Sequence, residues 1–537
     1  MKISRNYLEA GIFILVYLFA LYLWTLPFQD NASPYGEFDA ISHWELGDFI
    51  AQRDRTFVNL PPFLDYSYGD DNKFKPHTLW YPPPFHTDFA IISVFSNDRV
   101  IPIFLTNAIF ASSILISVFF AIRKLYGFLP AILSSFILTF SMRDILPYIW
   151  GQWPERFAYA FIPLILYAFY MYYTTYSKDG SKPIYLYIMS LLLAVNLLVH
   201  PLVFFHSAVG LFVLGIALFI KDRKIPFNVK HLGIALILFV ILLAIFPYQT
   251  GNVFVSFQQG GDEGKKASIA SLFSWAPNPA DFAGSVPTEY FSFGAMHGLW
   301  TLPFLLIGLG VLLVRRERRD IFLLAWLISL YLILHRDLIG KATFLHRSLS
   351  ATAHIFIPIT VIGAVSIPSL IKLPQNYRSF LKYGLAILVV ALALVYNLPN
   401  AFSTLNNSYD SPLARLNPSQ IEASEWLRDN IGENQNVSII GPPPQILQKV
   451  WWMASYSHRT SAYFEGFLAW KIYEENREEI IQNHLSGDYL LLDYTDISLL
   501  SDRSLVNQWQ AFEQNTLQNH TLLYNKNNIR VYKYEAS

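Results

Sequence analysis

The chain contains no cysteine, which excludes disulfides, thiolate metal sites and a cysteine nucleophile. Charge is scarce as well. Only 15% of the 537 residues are Asp, Glu, Lys or Arg, where a soluble globular protein carries roughly a quarter. The charges cancel to a formal net of zero, so nothing basic points to a nucleic-acid partner. A Walker-type phosphate loop is missing: Gly260-Gly261-Asp262-Glu263-Gly264-Lys265-Lys266 lacks the spaced Gly-Lys-Ser/Thr that follows a strand. No internal repeat of the kind that marks many transporters is evident.

What is present is apolar sequence in long runs, 53% of residues being hydrophobic. A hydrocarbon core of roughly 30 Å needs about 20 apolar residues per helix, and unpaired backbone polar groups are not tolerated there. The runs predict a polytopic all-α membrane bundle of about eleven helices. They cover residues 10–28, 100–121, 125–140, 158–172, 184–199, 202–220, 232–248, 299–314, 321–334, 353–373 and 383–398. Lys2 and Arg5 precede the first, which is long enough to stay in the membrane rather than be cleaved as a signal peptide.

Basic residues set the expected orientation. One set of alternate loops holds Arg123, Lys124, Lys178, Lys182, Lys221, Arg223, Lys224, Lys230, Arg315, Arg316, Arg318, Arg319, Lys372, Arg378 and Lys382. The opposite short loops hold only Arg143, Arg156, Arg336, Lys341 and Arg347. The N-terminus is therefore expected in the cytoplasm of a multi-pass cell-membrane protein. Residues 1–399 read as the membrane domain, with extracytoplasmic loops at 29–99 and 249–298. Residues 400–537 read as a soluble extracytoplasmic α/β domain. Its helix is expected to start at a Ser419/Glu422 capping box and end at Gly432. Strands are expected at 437–440 and 489–492, helices at 469–483 and 504–514, and a hairpin pairing 521–524 with 529–532 through Asn525–Asn528.

Polar residues at a membrane bundle are costly and usually functional. If residues 36–45 are helical, Asp39 and His43 share a face at i, i+4, where with Glu37 they can hold a divalent metal or a shared proton. The plainer alternative is a solvated helix with a capping acid. Leu79-Trp80-Tyr81-Pro82-Pro83-Pro84 reads as a rigid extended segment returning to the bilayer. Arg143, Asp144, Glu155 and Arg156 crowd one outer turn, where they either neutralise one another or face an anionic ligand while an acid moves a proton. His200-Pro201 marks a tight connection, with His206 close behind. The turn with His335, Arg336, Asp337, Lys341, His346 and Arg347 puts positive charge where it is disfavoured, and a lipid phosphate would compensate it.

Together these residues resemble the GT-C superfamily of membrane glycosyltransferases. The resemblance rests on Phe38-Asp39 with His43, on Tyr81-Pro82-Pro83, on Gly151-Gln152-Trp153-Pro154-Glu155, and on the arginine-bearing turn before a late span. It is nearest to the prokaryotic integral membrane proteins labelled "6-pyruvoyl-tetrahydropterin synthase-related", a label that implies no pterin chemistry here. The resemblance implies transfer of a sugar from a polyprenyl-phosphate donor to a glycan, lipid or protein acceptor at the outer face. It implies Asp39 as general base, with His43 and Glu155 as further catalytic candidates. Arg143, Asp144, Arg156, His200, Arg336, Lys341 and Arg347 would bind the substrate and its lipid phosphate. The paired acid common in the family is absent, since Ala40 follows Asp39, which leaves metal dependence open. The competing expectation is a non-catalytic membrane protein, a transporter or an envelope-assembly factor whose outer domain binds a partner.

Overall fold

The computed structural model describes residues 5–29, 33–34, 36, 38–53, 84–176, 182–226, 228–245, 275, 287–336, 345–371, 374–407, 415–432, 435, 437–440, 447–459, 488–495, 507, 510–511, 513–515 and 517–533. In chain order its principal helices begin with α1 (Arg5–Trp24), α2 (Phe38–Arg53), α3 (Pro84–Ser93), α4 (Ile101–Tyr126), α5 (Phe128–Leu138) and α6 (Met142–Ile149). Next come α7 (Trp153–Tyr159), α8 (Phe161–Thr175), α9 (Ile184–Val199), α10 (Pro201–Asp222), α11 (Val229–Ala244) and α12 (Thr301–Arg315). The series ends with α13 (Arg318–Leu334), α14 (Thr352–Leu370), α15 (Gln375–Leu392), α16 (Leu398–Asn407), α17 (Pro418–Asn430) and α18 (Leu447–Ser457). The strands are β1 (Val437–Ile440), β2 (Tyr489–Asp493), β3 (Thr521–Lys526) and β4 (Ile529–Lys533). Two compact units result: Met1–Thr25, Asn107–Tyr148 and Gln152–Leu405 form the first; Leu26–Thr106, Ile149–Gly151 and Asn406–Ser537 form the second.

In the first unit a helix lies on every stretch expected to span. Among the described residues, six helices are long and apolar enough to cross a membrane: Arg5–Trp24, Ile101–Tyr126, Trp153–Thr175, Pro201–Asp222, Leu345–Leu370 and Gln375–Asn406. A seventh crossing is made if α5 and α6, bent by 41°, count as one. The shorter apolar helices α9, α11 and α12 account for part of the difference from the expected eleven. The Leu345–Leu370 span is the most enclosed, whereas α1 and the α15–α16 span bury few of their side chains. At the ends of helices, carboxylates meet several of the arginines that marked the expected cytoplasmic loops. Glu9 pairs with Arg5 and Arg123, Asp222 with Arg318, and the fully buried Asp320 with Arg315 and the Tyr126 hydroxyl. Asp320 also closes a capping box with Glu317 at the start of α13.

Helices α12 and α14 pack backbone against backbone. A Cβ on Gly308 would run into the Ile359 carbonyl, and one on Gly363 into the Phe304 carbonyl. Small residues permit this approach, and in a bilayer such packing replaces the hydrophobic drive that lipid cannot supply.

The second unit holds a four-stranded sheet of order β1-β2-β4-β3, parallel between β1 and β2 and antiparallel elsewhere. The expected strands and hairpin are present, and Asn527 and Asn528 supply the left-handed turn at φ 51° and 64°. The expected capping box is displaced: Asn417 and Gln420 cap α17, because Pro418 occupies the first helical position and puts the cap one residue before it. Residues 469–483 and most of 504–514 lie outside the described residues, as do Glu37, residues 79–83 and residues 260–266.

A buried ion cluster joins α2 to the end of α18. Asp48 accepts from Arg99 Nε (3.1 Å) and Nη2 (2.5 Å) and lies 2.7 Å from His458 Nε2. Arg99 also donates to the Tyr456 carbonyl and lies 4.1 Å over the Tyr456 ring, which stacks on Trp44. Burial alone would raise the Asp48 carboxyl, but Arg99 and His458 outweigh it and hold it below the ordinary aspartate range. Its stabilisation is therefore complete above the unfolded value of about 4 and is lost as pH falls through the lower folded value.

Two outcomes are expected. Gly363→Leu should destabilise by about 1–3 kcal/mol through overpacking, read as a lower melting temperature in detergent, while Gly310→Ala, which meets open space, should not. Asp48→Asn should cost about 3–5 kcal/mol at neutral pH, because it leaves Arg99 buried without its carboxylate. It should also flatten the loss of stability in melts taken from pH 5 down to pH 2.

Candidate functional site

A dense buried polar group of the first unit forms where α6, α7 and α14 converge. Asp144, in the first turn of α6, is 2% exposed. Its Oδ1 accepts from Arg156 Nη1 at 2.9 Å and lies 2.7 Å from His354 Nε2. An ionised carboxylate only accepts, so Nε2 carries the imidazole hydrogen. Arg156, on α7, also donates to the Ser350 hydroxyl and reaches Glu155 Oε1 at 3.4 Å, with its Cζ 4.6 Å over the Tyr159 ring. The Tyr159 hydroxyl neighbours Glu155 and Ser350 but attains hydrogen-bond geometry with neither.

Arg143 precedes Asp144 yet does not share its partners. Its Cζ lies 4.6 Å over the ring of Tyr290, from the turn Thr288–Phe291. Burial pushes the Tyr290 phenol up, so it is a neutral donor at any physiological pH. His297 nearby is held well below its ordinary value by burial, and as a neutral imidazole its Nε2 lies 3.3 Å from the Thr352 hydroxyl. The His297 carbonyl accepts from Asn397, which sits in a π turn at Ala393–Asn397. Isolated π turns of this kind recur at functional sites.

Of the residues singled out in the sequence, Arg143, Asp144, Glu155 and Arg156 therefore come together. Arg336 lies within electrostatic range of Glu155 and Tyr159, and His206 within range of Arg336, His200, Arg156 and His354. His206 Nε2 is 3.0 Å from the Ser348 hydroxyl. Arg347 is half-buried in the short helix Leu345–Ser348, and Lys341 lies outside the described residues. Three buried guanidinium groups, Arg143, Arg156 and Arg336, face two buried carboxylates, Asp144 and Glu155. The excess of positive charge suits an anion.

Asp39 and His43 belong to the second unit. Asp39 is half-buried in the first turn of α2. His43, 1% exposed, places Nδ1 2.9 Å from Nε2 of the equally buried His86 on α3. Among the described residues no group of three or more His, Asp or Glu gathers as a metal site. Gly151, at φ 89°, presses its backbone against Ala40, where a Cβ would strike the Ala40 nitrogen.

Sequence reasoning passed over His354, Ser350, Tyr159 and Tyr290. Only His354 carried a usable signal, an ionisable residue inside an otherwise apolar span.

A comparison with curated proteins finds no significant match. Among solved structures, the ArnT of Cupriavidus metallidurans bound to undecaprenyl phosphate aligns with a TM-score of 0.59 at 10% identity, over 97% of this chain and 98% of that one. The oligosaccharyltransferase of Archaeoglobus fulgidus in its apo form aligns with a TM-score of 0.58 at 14% identity, over 92% of this chain and 70% of that one. Identities this low establish a shared fold with these two proteins and nothing beyond it. Residues 8–443 match the family of unknown function DUF6541, and the chain belongs to that family.

Proposed function

We propose that the protein is a membrane glycosyltransferase that moves a sugar from a polyprenyl-phosphate carrier to an acceptor at the outer face of the cell membrane. The observation that carries the reading is the buried cluster around Asp144, which holds more guanidinium than carboxylate inside a unit of GT-C fold. An apolar bundle retains such groups at high cost, and a phosphate at the membrane boundary makes use of them. ArnT, of the same fold, binds undecaprenyl phosphate. Within the superfamily we place the chain nearest to the prokaryotic proteins labelled 6-pyruvoyl-tetrahydropterin synthase-related, on the motifs quoted above.

In the proposed reaction, Asp39 takes the proton from the acceptor hydroxyl. The oxygen attacks the anomeric carbon, and the glycosyl–phosphate bond breaks with its electron pair passing to the phosphate oxygen. Arg336, Arg347 and Lys341, with Arg143, hold that phosphate and stabilise the charge that builds on it. His43 orients the loop acid, and His200 and Arg156 support the phosphate side. The acceptor is an envelope glycan, lipid or protein, and the N-terminus is cytoplasmic, as the arginine and lysine bias argues.

Sugar transfer in proteoliposomes loaded with polyprenyl-phosphate sugars tests the assignment. Asp39→Asn is expected to lower kcat by about 10²–10⁴-fold with little change in KM, as loss of a general base does. Equal transfer by variant and wild type removes Asp39 from that role.

A further inference from the structure

The sequence order around the cluster is Arg143-Asp144 on α6 and Glu155-Arg156 on α7. The inner pairing of Asp144 with Arg156 and His354 leaves Arg143 without a carboxylate, while Glu155 meets Arg156 through Oε1 alone, at 3.4 Å. Arg143 and Glu155 are 3% and 1% exposed. Nε and Nη1 of Arg143 and Oε2 of Glu155 have no hydrogen-bond partner among the described residues. Both interact electrostatically with Tyr290, as does Arg156, so they belong to one cluster. No bridge joins the two to each other among the described ion pairs.

A buried guanidinium and a buried carboxylate in one cluster ordinarily pair, because each alone carries its full desolvation cost. Kept apart, they select a ligand. Arg143 can only donate and favours an anion; an ionised Glu155 can only accept and favours a hydroxyl. A bare polyprenyl phosphate answers the first requirement alone. A glycosyl phosphate answers both, through its non-bridging phosphate oxygens and its ring hydroxyls.

We propose that Arg143 and Glu155 form a two-point receptor for a glycosyl phosphate, Arg143 taking the phosphate and Glu155 a sugar hydroxyl. The site then prefers the loaded carrier and releases the spent one, since transfer of the sugar removes the Glu155 contact. The inference rests on the donor-site reading above and specifies what that site recognises.

The test uses the full chain in nanodiscs and two probes, undecaprenyl phosphate and undecaprenyl phosphate carrying one hexose, titrated by native mass spectrometry. Wild type is expected to bind the hexosylated probe about tenfold more tightly, the value of one hydrogen bond to a charged group. Glu155→Gln should erase that preference and leave the bare-probe affinity within about twofold, while Arg143→Ala should weaken both probes by about tenfold. Melting curves establish that each loss is local. Should Glu155→Gln not fold, Glu155→Asp, which withdraws the carboxylate without removing it, must show the same loss of preference. Equal binding of both probes by wild type, or equal weakening of both by Glu155→Gln, overturns the receptor while leaving the transferase reading standing. Selective binding without transfer in proteoliposomes does the reverse.

Discussion

The first unit is organised around one carboxylate. Asp144 is buried where ionisation is expensive, and it is kept by Arg156 from α7 and His354 from α14. Two consecutive short helices and a third helix 210 residues further along the chain are thereby tied at a single oxygen. The consequences follow from helix geometry. Successive residues of an α-helix point about 100° apart, so an Asp144 that faces inward turns Arg143 away toward Tyr290. On α7, Glu155 meets Arg156 through one oxygen only, at 3.4 Å, and its Oε2 has no hydrogen-bond partner among the described residues. A guanidinium without a carboxylate and a half-satisfied carboxylate are thus the outcome of one ion pair and the pitch of two short helices.

A second constraint acts at the start of α2. Ala40 is completely buried, and Gly151 lies against it in a left-handed conformation that other residues rarely adopt. A second acid after Asp39 would bring a larger, charged side chain into that contact. The alanine that follows Asp39 and the glycine of the Gly151-Gln152-Trp153 segment are therefore one steric fact. A single carboxylate at this point is a property of the packing, whichever reaction it serves.

Much of the architecture was legible in the sequence because the bilayer simplifies the problem. Apolar runs of sufficient length must be helical, and each expected span carries a helix. The hairpin at Asn525–Asn528 was readable for a similar reason, since few turns join two β-rich runs so closely. Where several physical effects compete, the reading weakened. The capping box was expected at Ser419 and Glu422, and Pro418 at the first helical position sets it at Asn417 and Gln420 instead. The site was half legible. The crowding of Arg143, Asp144, Glu155 and Arg156 was visible as composition, but which acid meets which base depends on side-chain direction. His354 enters from more than 200 residues away, a separation that no local pattern encodes.

Asp39 itself is positioned by residues further along its helix. Its helix α2 is fixed along its length by Trp44, which donates to the Arg99 carbonyl, and by Asp48, locked to Arg99 and His458. Asp48 is nine positions, about 14 Å of helix, beyond Asp39. A helix held rigidly at one end delivers its other end to a defined place, whereas a flexible loop bearing the same acid would spread it over many positions. The demands on Arg99 and His458 are therefore geometric. They require a bidentate guanidinium and a ring nitrogen within hydrogen-bond reach of one buried carboxylate, a combination that lysine, a point donor on a flexible stem, does not reproduce at position 99.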